Sequence, residues 1–352
     1  MAQPTTQDHA YQRHILQGVS RTFALTIPML PPRLCEVVSN AYLLCRIADT
    51  IEDGTELTPS QQHHVAAQFI RVIQGTVAAE TFAAELYPLL SRHTLEAECD
   101  LIRNTPRVIR ITHSFNATQQ QALARCIRIM ANGMAHYQAQ ESLSGLPDLP
   151  AMAEYCYYVA GVVGEMLTEI FCDYSEEISR NKKVLMELAV SFGQGLQMTN
   201  ILKDIWEDRM RGACWLPRDL FLKEGIELKD LQPGTTHPGF SAGLGQLIGL
   251  AKHHLYNALT YILLIPPQER GIRRFCLWAL GMAVLTLKKL NKQRNFTHGQ
   301  QVKISRQSVK ATLLVTTALI NYNSLLKLLL YLTSRDLPDN TIHEKINGLR
   351  VS

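Results

Sequence analysis

The sequence predicts an all-α fold, and three observations lead to this prediction. Apolar residues recur at helical spacing along almost the whole chain of 352 residues. No run alternates apolar and polar residues between hairpin turns, so strands are not expected. Proline and glycine group at a few places, which divide the chain into helices of roughly 15 to 30 residues. These breaks are Pro28 to Pro32, Gly145 to Pro150, Gly212 to Pro217, Pro233 to Gly239 and Pro266-Pro267.

Capping residues predict where two of the helices begin. Thr58, Pro59 and Gln61 supply in order an N-cap, a proline at the first helical position and a capping-box glutamine. Thr118 and Gln121 repeat the capping-box pattern before the next apolar run. We therefore expect one helix to begin after Thr58 and another after Thr118.

The breaks are too short and too apolar to be flexible linkers, so the sequence predicts one domain. With 46% hydrophobic residues the chain is globular rather than disordered. We expect an all-α domain over residues 1–335 and a C-terminal tail over 336–352.

Charge and cysteine usage exclude several classes of function. The 35 basic and 31 acidic residues give a net charge of +4, without a run of like charges typical of nucleic-acid binding. The eight cysteines form no C-x-x-C pair, and most lie in apolar helical runs, so we expect reduced core thiols. The first 14 residues lack the basic and apolar regions of a secretory signal. A cytoplasmic protein that binds no nucleic acid is therefore expected.

One C-terminal segment, Ala311 to Thr333, is apolar enough to raise the question of a membrane span, which needs about 20 mostly apolar residues. Lys327, Asn321 and Asn323 lie near its middle, and polar groups are costly at a bilayer centre. We therefore expect a buried helix with one solvent-facing edge. Peripheral contact with the inner face of the membrane, for product release, stays open.

Two acidic motifs indicate the chemistry. Asp49, Glu52 and Asp53 follow the pattern D-x-x-E-D, and so do Asp204, Glu207 and Asp208, each within an apolar helical stretch. At about 100° per residue, Asp49 and Asp53 of the first motif share a stripe with Tyr42 and Arg46. The second shares one with Gly193, Gln197, Asn200 and Arg211.

Like carboxylates four residues apart repel each other, and these acids have few basic neighbours at helical spacing. A cluster of Mg²⁺ ions, completed by substrate phosphates, would balance the charge. We expect the two helices to face each other across a polar slot inside the bundle. A solvated face with ordinary i,i+4 pairs is the alternative.

Gly161 and Gly164 lie inside the helix predicted from about Ala151 to Cys172, where each costs up to about 1 kcal/mol. Close helix packing and room for a long ligand both explain them. The adjacent pairs His63-His64 and His253-His254 lack the spacing of a helical metal site and are expected at the surface. The sequence contains no dinucleotide-binding G-x-G-x-x-G after a strand, no P-loop and no G-x-S-x-G motif.

Four ordered motifs together resemble the squalene and phytoene synthase family. They are Ser20-Arg21-Thr22-Phe23, Tyr42-x-x-x-Arg46-x-x-Asp49-x-x-Glu52-Asp53, Tyr155-Cys156-x-Tyr158-Val159-Ala160-Gly161 and Gln197-x-Thr199-Asn200-x-x-x-Asp204-x-x-Glu207-Asp208. The similarity continues through Phe275-Cys276 and Val302-Lys303-Ile304, a stretch more like squalene than phytoene synthases.

The resemblance implies an isoprenoid-synthase fold, a single-domain helical bundle of the class I terpenoid synthase type with a central cavity. It implies the head-to-head (1′-1) condensation of two farnesyl diphosphates through presqualene diphosphate to squalene, with NADPH as reductant and Mg²⁺ as metal. By the same resemblance, Asp49, Glu52, Asp53, Asn200, Asp204, Glu207 and Asp208 hold Mg²⁺, and Tyr155 lies near the reacting carbons.

Further residues are assigned to the substrate and the reductant by the same resemblance. The substrate set is Ser20, Arg21, Phe23, Tyr42, Arg46, Gln197, Asn200, Lys203 and Arg211. The reductant set is Arg21, Arg46, Asn200, Lys203, Lys303 and Arg306. The sequence departs from the family pattern at Lys203, where squalene synthases commonly carry arginine, and at Ala213, where relatives place one. It departs again at Ser305 and Trp278-Ala279-Leu280, which bear on the reduction.

Several alternatives remain at the level of sequence. A dehydrosqualene or phytoene synthase, or an enzyme releasing presqualene diphosphate, would omit the reduction. A head-to-tail prenyltransferase or a class I terpene cyclase also carries two acidic helices, but neither accounts for Tyr155 and Ser20-Arg21. An all-α lipid-binding protein would keep the cavity without the chemistry. Chain-length preference and oligomeric state are not predicted.

Overall fold

The structure, a computed structural model, describes residues 3–20, 22–52, 57–138 and 141–342, and within them the chain is helical. Across these ranges the only β contact is an isolated bridge between Leu146 and Pro217. The predicted all-α fold class is therefore confirmed.

The chain divides into two compact units, residues 1–139 with 165–180, and residues 140–164 with 181–352. The first eight helices are α1 (Thr6–Val19), α2 (Phe23–Thr26), α3 (Pro32–Glu52), α4 (Pro59–Ile73), α5 (Ala79–Leu86), α6 (Glu96–Arg103), α7 (Thr105–Ser114) and α8 (Ala117–Gln138). Next come α9 (Leu149–Cys156), a π-helical turn (Tyr157–Gly161), α10 (Val162–Tyr174) and α11 (Glu176–Ser179). The rest are α12 (Lys182–Lys203), α13 (Ile205–Met210), α14 (Arg218–Lys223), α15 (Pro238–Leu264), α16 (Arg270–Lys292), α17 (Arg306–Ala318) and α18 (Asn323–Ser334). The predicted single domain over 1–335 stays a prediction.

In the first unit, α3 is the central helix, with α1, α4, α6, α7 and α8 packed against it. Its Asn40 is fully buried and joins three helices. The Asn40 side chain accepts a hydrogen bond from Gln12 at 3.1 Å and donates one to the Thr112 hydroxyl at 2.7 Å. Because both ends of the amide are satisfied, the buried polar group fixes the packing of α1 and α7 on α3 rather than destabilising it.

In the second unit, α12 and α15 pack along each other, and α16 packs against both. Arg273 of α16 is fully buried. It donates hydrogen bonds to the Ile265 carbonyl at 2.8 Å, the Ile320 carbonyl at 2.9 Å and the Asn323 side chain at 2.9 Å. One guanidinium therefore ties α16 to the ends of α15 and α17 and to the start of α18.

Several predicted elements differ from the structure. The helix start after Thr58 is confirmed, capping box included. The start after Thr118 is wrong, because Asn116 accepts the Gln119 N–H at 2.9 Å, and asparagine is the stronger N-cap. His254 is buried rather than at the surface, because this residue of α15 faces α12, where it is bonded to Ser191 at 2.8 Å. All eight cysteines are free, as predicted.

The C-terminal segment Ala311 to Thr333 is not one buried helix. It comprises the end of α17, a turn and most of α18, and several of its large apolar side chains are exposed. Within the described ranges, no helix combines the length and the apolar character needed to cross a bilayer.

Candidate active site

In the first unit the structure brings the Ser20 motif together with α3. The Ser20 hydroxyl accepts the Phe23 N–H at 2.9 Å and so helps to begin α2. The Phe23 ring lies 5.3 Å from that of Tyr42. Tyr42 donates to the Val19 carbonyl at 2.9 Å and accepts from Arg46 Nη2 at 3.2 Å. Two motifs that are separate in the sequence therefore form one contact group.

Arg46 is the cation of this group. Its Nη1 lies 3.7 Å from Asp49 and 3.6 Å from Glu98, and the side chain is 27% exposed. Burial opposes the charge, yet Asp49, Tyr42 and Glu98 outweigh burial and raise the pKa of Arg46. Its Nε is buried and has no hydrogen-bond partner among the described residues. Arg46 is thus a permanent cation with one donor still available.

Glu98, on the short helix α6, was not predicted from the sequence. It approaches Arg46 from a helix far along the chain, and no motif marks it. Its carboxylate competes with Asp49 for the same guanidinium.

The carboxylates of the first acidic motif are at the end of α3. Asp49 is partly exposed, with 32% of its side chain accessible, and Glu52 is half-buried. The Glu52 carbonyl accepts hydrogen bonds from Gln62 at 3.2 Å and Gln138 at 2.5 Å, which hold the last turn of α3. Asp53 and Arg21 lie outside the described residues.

The second acidic motif lies at a kink. α12 ends at Lys203, Asp204 has φ −103° and ψ 15°, and α13 begins at Ile205. The helix that carries the predicted stripe is therefore interrupted at Asp204, a kink that the sequence did not predict. The backbone nevertheless keeps its i,i+4 bonds, with Asp204 N–H to the Asn200 carbonyl and Asp208 N–H to the Asp204 carbonyl, both at 2.9 Å. Asp204 and Asp208 consequently stay one turn apart, with Glu207 next to Asp208.

Basic neighbours are more frequent around these acids than predicted. Lys203 Nζ lies 2.9 Å from Asp204, and Arg211 Nη2 lies 2.6 Å from Asp208. Burial raises the pKa of Asp204, and it raises the pKa of Asp208 to about 6 despite Arg211. Both acids are thus partly paired with basic side chains, yet burial raises their pKa more than the pairing lowers it.

Glu207 is the most informative carboxylate of this motif. Its Oε1 accepts the Gly299 N–H at 2.7 Å, whereas its Oε2 is buried and has no hydrogen-bond partner among the described residues. A buried acceptor left unpaired costs about 1–3 kcal/mol, and more when charged. We therefore expect Glu207 Oε2 to bind a ligand other than the described residues.

Gly299, which the sequence analysis missed, donates this bond and leaves little room for a side chain. A Cβ at this position would lie 3.0 Å from Glu207 Oε1 and 3.1 Å from the Lys203 carbonyl. Glycine therefore allows the turn Gly299–Val302 to approach the kink closely. From the sequence alone, a single glycine in a loop does not reveal which residue it contacts.

The other predicted residues of the second unit are less enclosed. Gln197 is half-buried and Asn200 is exposed on α12, while Lys303 and Arg306 are exposed near the start of α17. Gly193 does not line a slot, because a Cβ there would lie 2.3 Å from the Ala160 carbonyl. In the part of the chain that is described, no group of three or more histidine, cysteine or acidic side chains is arranged to hold a metal ion.

Tyr155 is buried in α9 and stacks on Trp215, with ring centroids 4.2 Å apart and planes 6° apart. The π-helical turn Tyr157–Gly161 follows directly. A Cβ at Gly164 would lie 2.3 Å from the Ala189 carbonyl of α12. Of the two explanations left open for the glycines, close packing therefore accounts for Gly164.

Comparison with solved structures first defines the class of protein. The fold is similar to that of TcSQS in complex with the ligand E5700, with a TM-score of 0.76 and 22% identity over 94% of this chain and 91% of that one. A dehydrosqualene synthase in complex with a ligand gives a TM-score of 0.64 and 21% identity over 91% of this chain and 97% of that one. The fold is thus the all-α terpenoid-synthase type.

Sequence comparison then gives the particular family. The profile described as squalene/phytoene synthase matches residues 16–308, and the chain belongs to that family. A squalene synthase of Cyberlindnera jadinii is 29% identical over 311 residues, which cover 87% of this chain and 66% of that protein. One of Saccharomyces cerevisiae is 28% identical over 83% of this chain and 63% of that protein. The chain thus spans less than two thirds of the length of these relatives.

Proposed function

We propose that the protein condenses two farnesyl diphosphates head to head (1′-1) through presqualene diphosphate and reduces the product to squalene with NADPH. The observation that carries the proposal is the acidic kink, where Asp204 lies one turn from Asp208, Glu207 adjoins Asp208, and one buried Glu207 oxygen has no described partner. In a member of this family, such a group suits a metal-bound diphosphate.

The residues of the kink fit Mg²⁺. Oxygen donors are the ligands that this ion prefers. A divalent cation would bind Glu207 Oε2 and stabilise the ionised Asp208 carboxylate, which offsets the effect of burial on its pKa. The proposed ligand set is completed by Asp49, Glu52, Asp53 and Asn200. When bound, Mg²⁺ supplies positive charge to the departing diphosphate.

The protein's own cations have the complementary role. Arg46, Arg211 and Lys203 are proposed to bind diphosphate oxygens, together with Arg21. Arg46 lies 3.7 Å from Asp49 and 3.6 Å from Glu98, while Arg211 and Lys203 each pair with a carboxylate, at 2.6 and 2.9 Å, so the orientation of each cation is set before substrate arrives. Preorganised cations stabilise developing negative charge more than mobile ones, because no reorganisation is needed during the reaction.

Tyr155 is proposed to stand beside the reacting carbons. Its stacking on Trp215 fixes the plane of the phenol, and two parallel aromatic faces can stabilise an allylic cation without attacking it. Gln197, Ser20, Phe23 and Tyr42 are assigned to substrate contact, and the contact group around Tyr42 supports three of these assignments.

The reductive step depends on Lys303 and Arg306. Both are exposed cations three positions apart at the start of α17, and they fit the phosphates of NADPH in charge. A bound nicotinamide would supply the hydride. Arg21, Arg46, Asn200 and Lys203 are the remaining residues assigned to this cofactor.

A second candidate is a synthase that stops before reduction, giving dehydrosqualene, phytoene or presqualene diphosphate. Ser305 supports this candidate, because it is exposed one position before Arg306 where the resemblance expects a basic residue, so this surface offers one cation fewer to the phosphates of NADPH. A cytoplasmic location with peripheral contact at the inner membrane face is part of the first proposal.

Mass spectrometry of products from farnesyl diphosphate, and from geranylgeranyl diphosphate for phytoene, with Mg²⁺ and with or without NADPH, tests both candidates. Squalene only in the presence of NADPH supports the first, and an identical unreduced product in both reactions supports the second. No release of pyrophosphate from the folded protein contradicts both and favours a lipid-binding protein.

Matched variants connect the reaction to the acidic kink. Asp204→Asn is expected to lower kcat at least about a hundredfold, because it removes a charge that acts in the transition state. Asp230→Asn removes an exposed carboxylate of the same unit and serves as the control. Equal activity of the two variants would contradict the proposed role of the kink.

A further inference from the structure

The outward faces of α17 and α18 form an apolar surface, and we propose that this surface docks on an anionic phospholipid bilayer. It is defined by Leu314 and Val315 of α17, Tyr322 of the intervening turn, and Leu325, Leu328, Tyr331 and Leu332 of α18. Each is exposed, from 42% for Val315 to 73% for Leu314. Val315 lines the same cavity as Leu326 and Leu330 of α18, so the two helices lie near each other, and grouped exposed apolar side chains mark interaction sites.

Helical spacing explains why these side chains point away from the protein. Leu325, Leu328 and Leu332 recur at i, i+3 and i+7 and lie within one arc of about 120° that includes Tyr331. Leu326 and Leu330 lie on another face and are buried. α18 is therefore apolar on two faces, only one of which packs against the protein.

The basic residues near this surface favour an anionic membrane as its binding partner. Between Lys303 and Arg335 the sequence contains five basic residues and no acidic one. Lys310 and Lys327 are exposed there, and Lys310 precedes Leu314 by one turn on the same face of α17. Apolar side chains with flanking lysines and interfacial tyrosines are the pattern of helices that lie in the headgroup region of anionic membranes.

A second copy of the chain fits this surface less well. In a two-fold symmetric contact each patch meets itself, so Lys310 and Lys327 would meet like charges without a carboxylate in the segment to offset them. A helix spanning the bilayer is excluded for the described residues by length and apolar character.

An apolar cavity of about 210 Å³ lies beneath the surface. It is lined on one side by Leu280 and Val284 of α16 and on the other by Val315, Leu326 and Leu330. Val315 lines the cavity and is also part of the exposed surface. A hydrocarbon chain at the membrane could therefore pass from the bilayer into this apolar cavity. If the proposed function holds, the same surface delivers an apolar product into the membrane.

Sedimentation with vesicles tests the docking directly. The full chain is incubated with vesicles of phosphatidylcholine alone or mixed with phosphatidylglycerol, at low and high salt. We expect binding to the anionic vesicles that weakens as salt rises. Leu328→Gln/Leu332→Gln should weaken binding at least about tenfold, and Lys310→Gln/Lys327→Gln by about fivefold per lysine.

Leu95→Gln/Leu222→Gln is the matched control, because it removes two exposed leucines elsewhere on the protein. It should bind vesicles like the wild type. Circular dichroism and turnover of detergent-dispersed farnesyl diphosphate should be unchanged in all variants, which separates failure of docking from failure of the proposed function. Wild-type protein that stays in the supernatant overturns the proposal. So does a wild-type dimer in light scattering that Leu328→Gln/Leu332→Gln converts to monomer without an effect on vesicle binding.

Discussion

Replacing Asp208 with asparagine tests whether the acidic kink carries unbalanced charge in the absence of metal. Asp208 is 7% exposed, and burial raises its pKa from the ordinary 3.8 to about 6, although Arg211 lowers it. The unfolded chain therefore releases this proton near pH 4 and the folded chain near pH 6. As pH rises through this range the folded state loses stability, and the loss is complete above it.

The size of the loss follows from the two pKa values. One pH unit corresponds to about 1.4 kcal/mol, so the ionised carboxylate destabilises the folded state by about 1.6 kcal/mol at pH 5 and about 3 kcal/mol at pH 8. Asparagine cannot ionise. In the presence of a chelator, the difference in unfolding free energy between Asp208→Asn and wild type should thus grow by about 1.4 kcal/mol from pH 5 to pH 8.

Urea denaturation at both pH values measures this difference, and Asp230→Asn controls for the loss of one negative charge. Addition of Mg²⁺ with inorganic pyrophosphate at pH 8 should stabilise the wild type and leave Asp208→Asn nearly unchanged. A difference that is the same at pH 5 and pH 8 would refute the reasoning, because pH-independent effects of asparagine cancel in this comparison.

Three further predictions concern stability in the second unit. Gly164→Ala should destabilise by about 1–3 kcal/mol in urea, because its Cβ would lie 2.3 Å from the Ala189 carbonyl; unchanged stability would show that α12 can move away. Burial, followed by the neighbouring His253, lowers the pKa of His254 to about 4, so this residue should cost the folded state about 2 kcal/mol between pH 7.5 and pH 5 as the unfolded state takes up the proton; the difference in unfolding free energy between wild type and His254→Gln should therefore shift by about 2 kcal/mol over this range, and a constant difference would contradict this. Arg273→Met should cost about 3–5 kcal/mol in the same assay, since it leaves buried carbonyl groups of Ile265 and Ile320 without their donor; a cost below 1 kcal/mol would argue that water replaces the guanidinium.

The sequence predicted the features that depend on neighbours along the chain. The capping box at Thr58 was found because all its hydrogen bonds lie within three residues. The grouping of Tyr42, Arg46 and Asp49 was found for the same reason, because one face of α3 presents them. The predicted helix start after Thr118 was wrong because Asn116, two residues earlier, is the stronger N-cap and had not been considered.

Features that depend on distant residues could not be predicted. Glu98 reaches Arg46 from α6, and Gly299 reaches Glu207 from a loop far along the chain. The kink at Asp204 could not be predicted either, because no glycine or proline is present at this point of the sequence. The roles of the predicted site residues remain predictions, and the structure supplies the contacts by which they can be tested.

The π-helical turn Tyr157–Gly161 changes how side-chain directions can be inferred on either side of it. A π turn carries one more residue than an α turn, so it offsets the angular phase by roughly 100°. Tyr155 and Gly164 therefore cannot be placed on a single helical wheel, and their faces are set independently. Deleting one residue such as Val159 would restore an unbroken α-helical phase. If Gly164 kept its contact with α12, this deletion would rotate the Tyr155 ring away from Trp215. An insertion at this point thus allows a glycine-tight helix contact and an aromatic stack to coexist within ten residues.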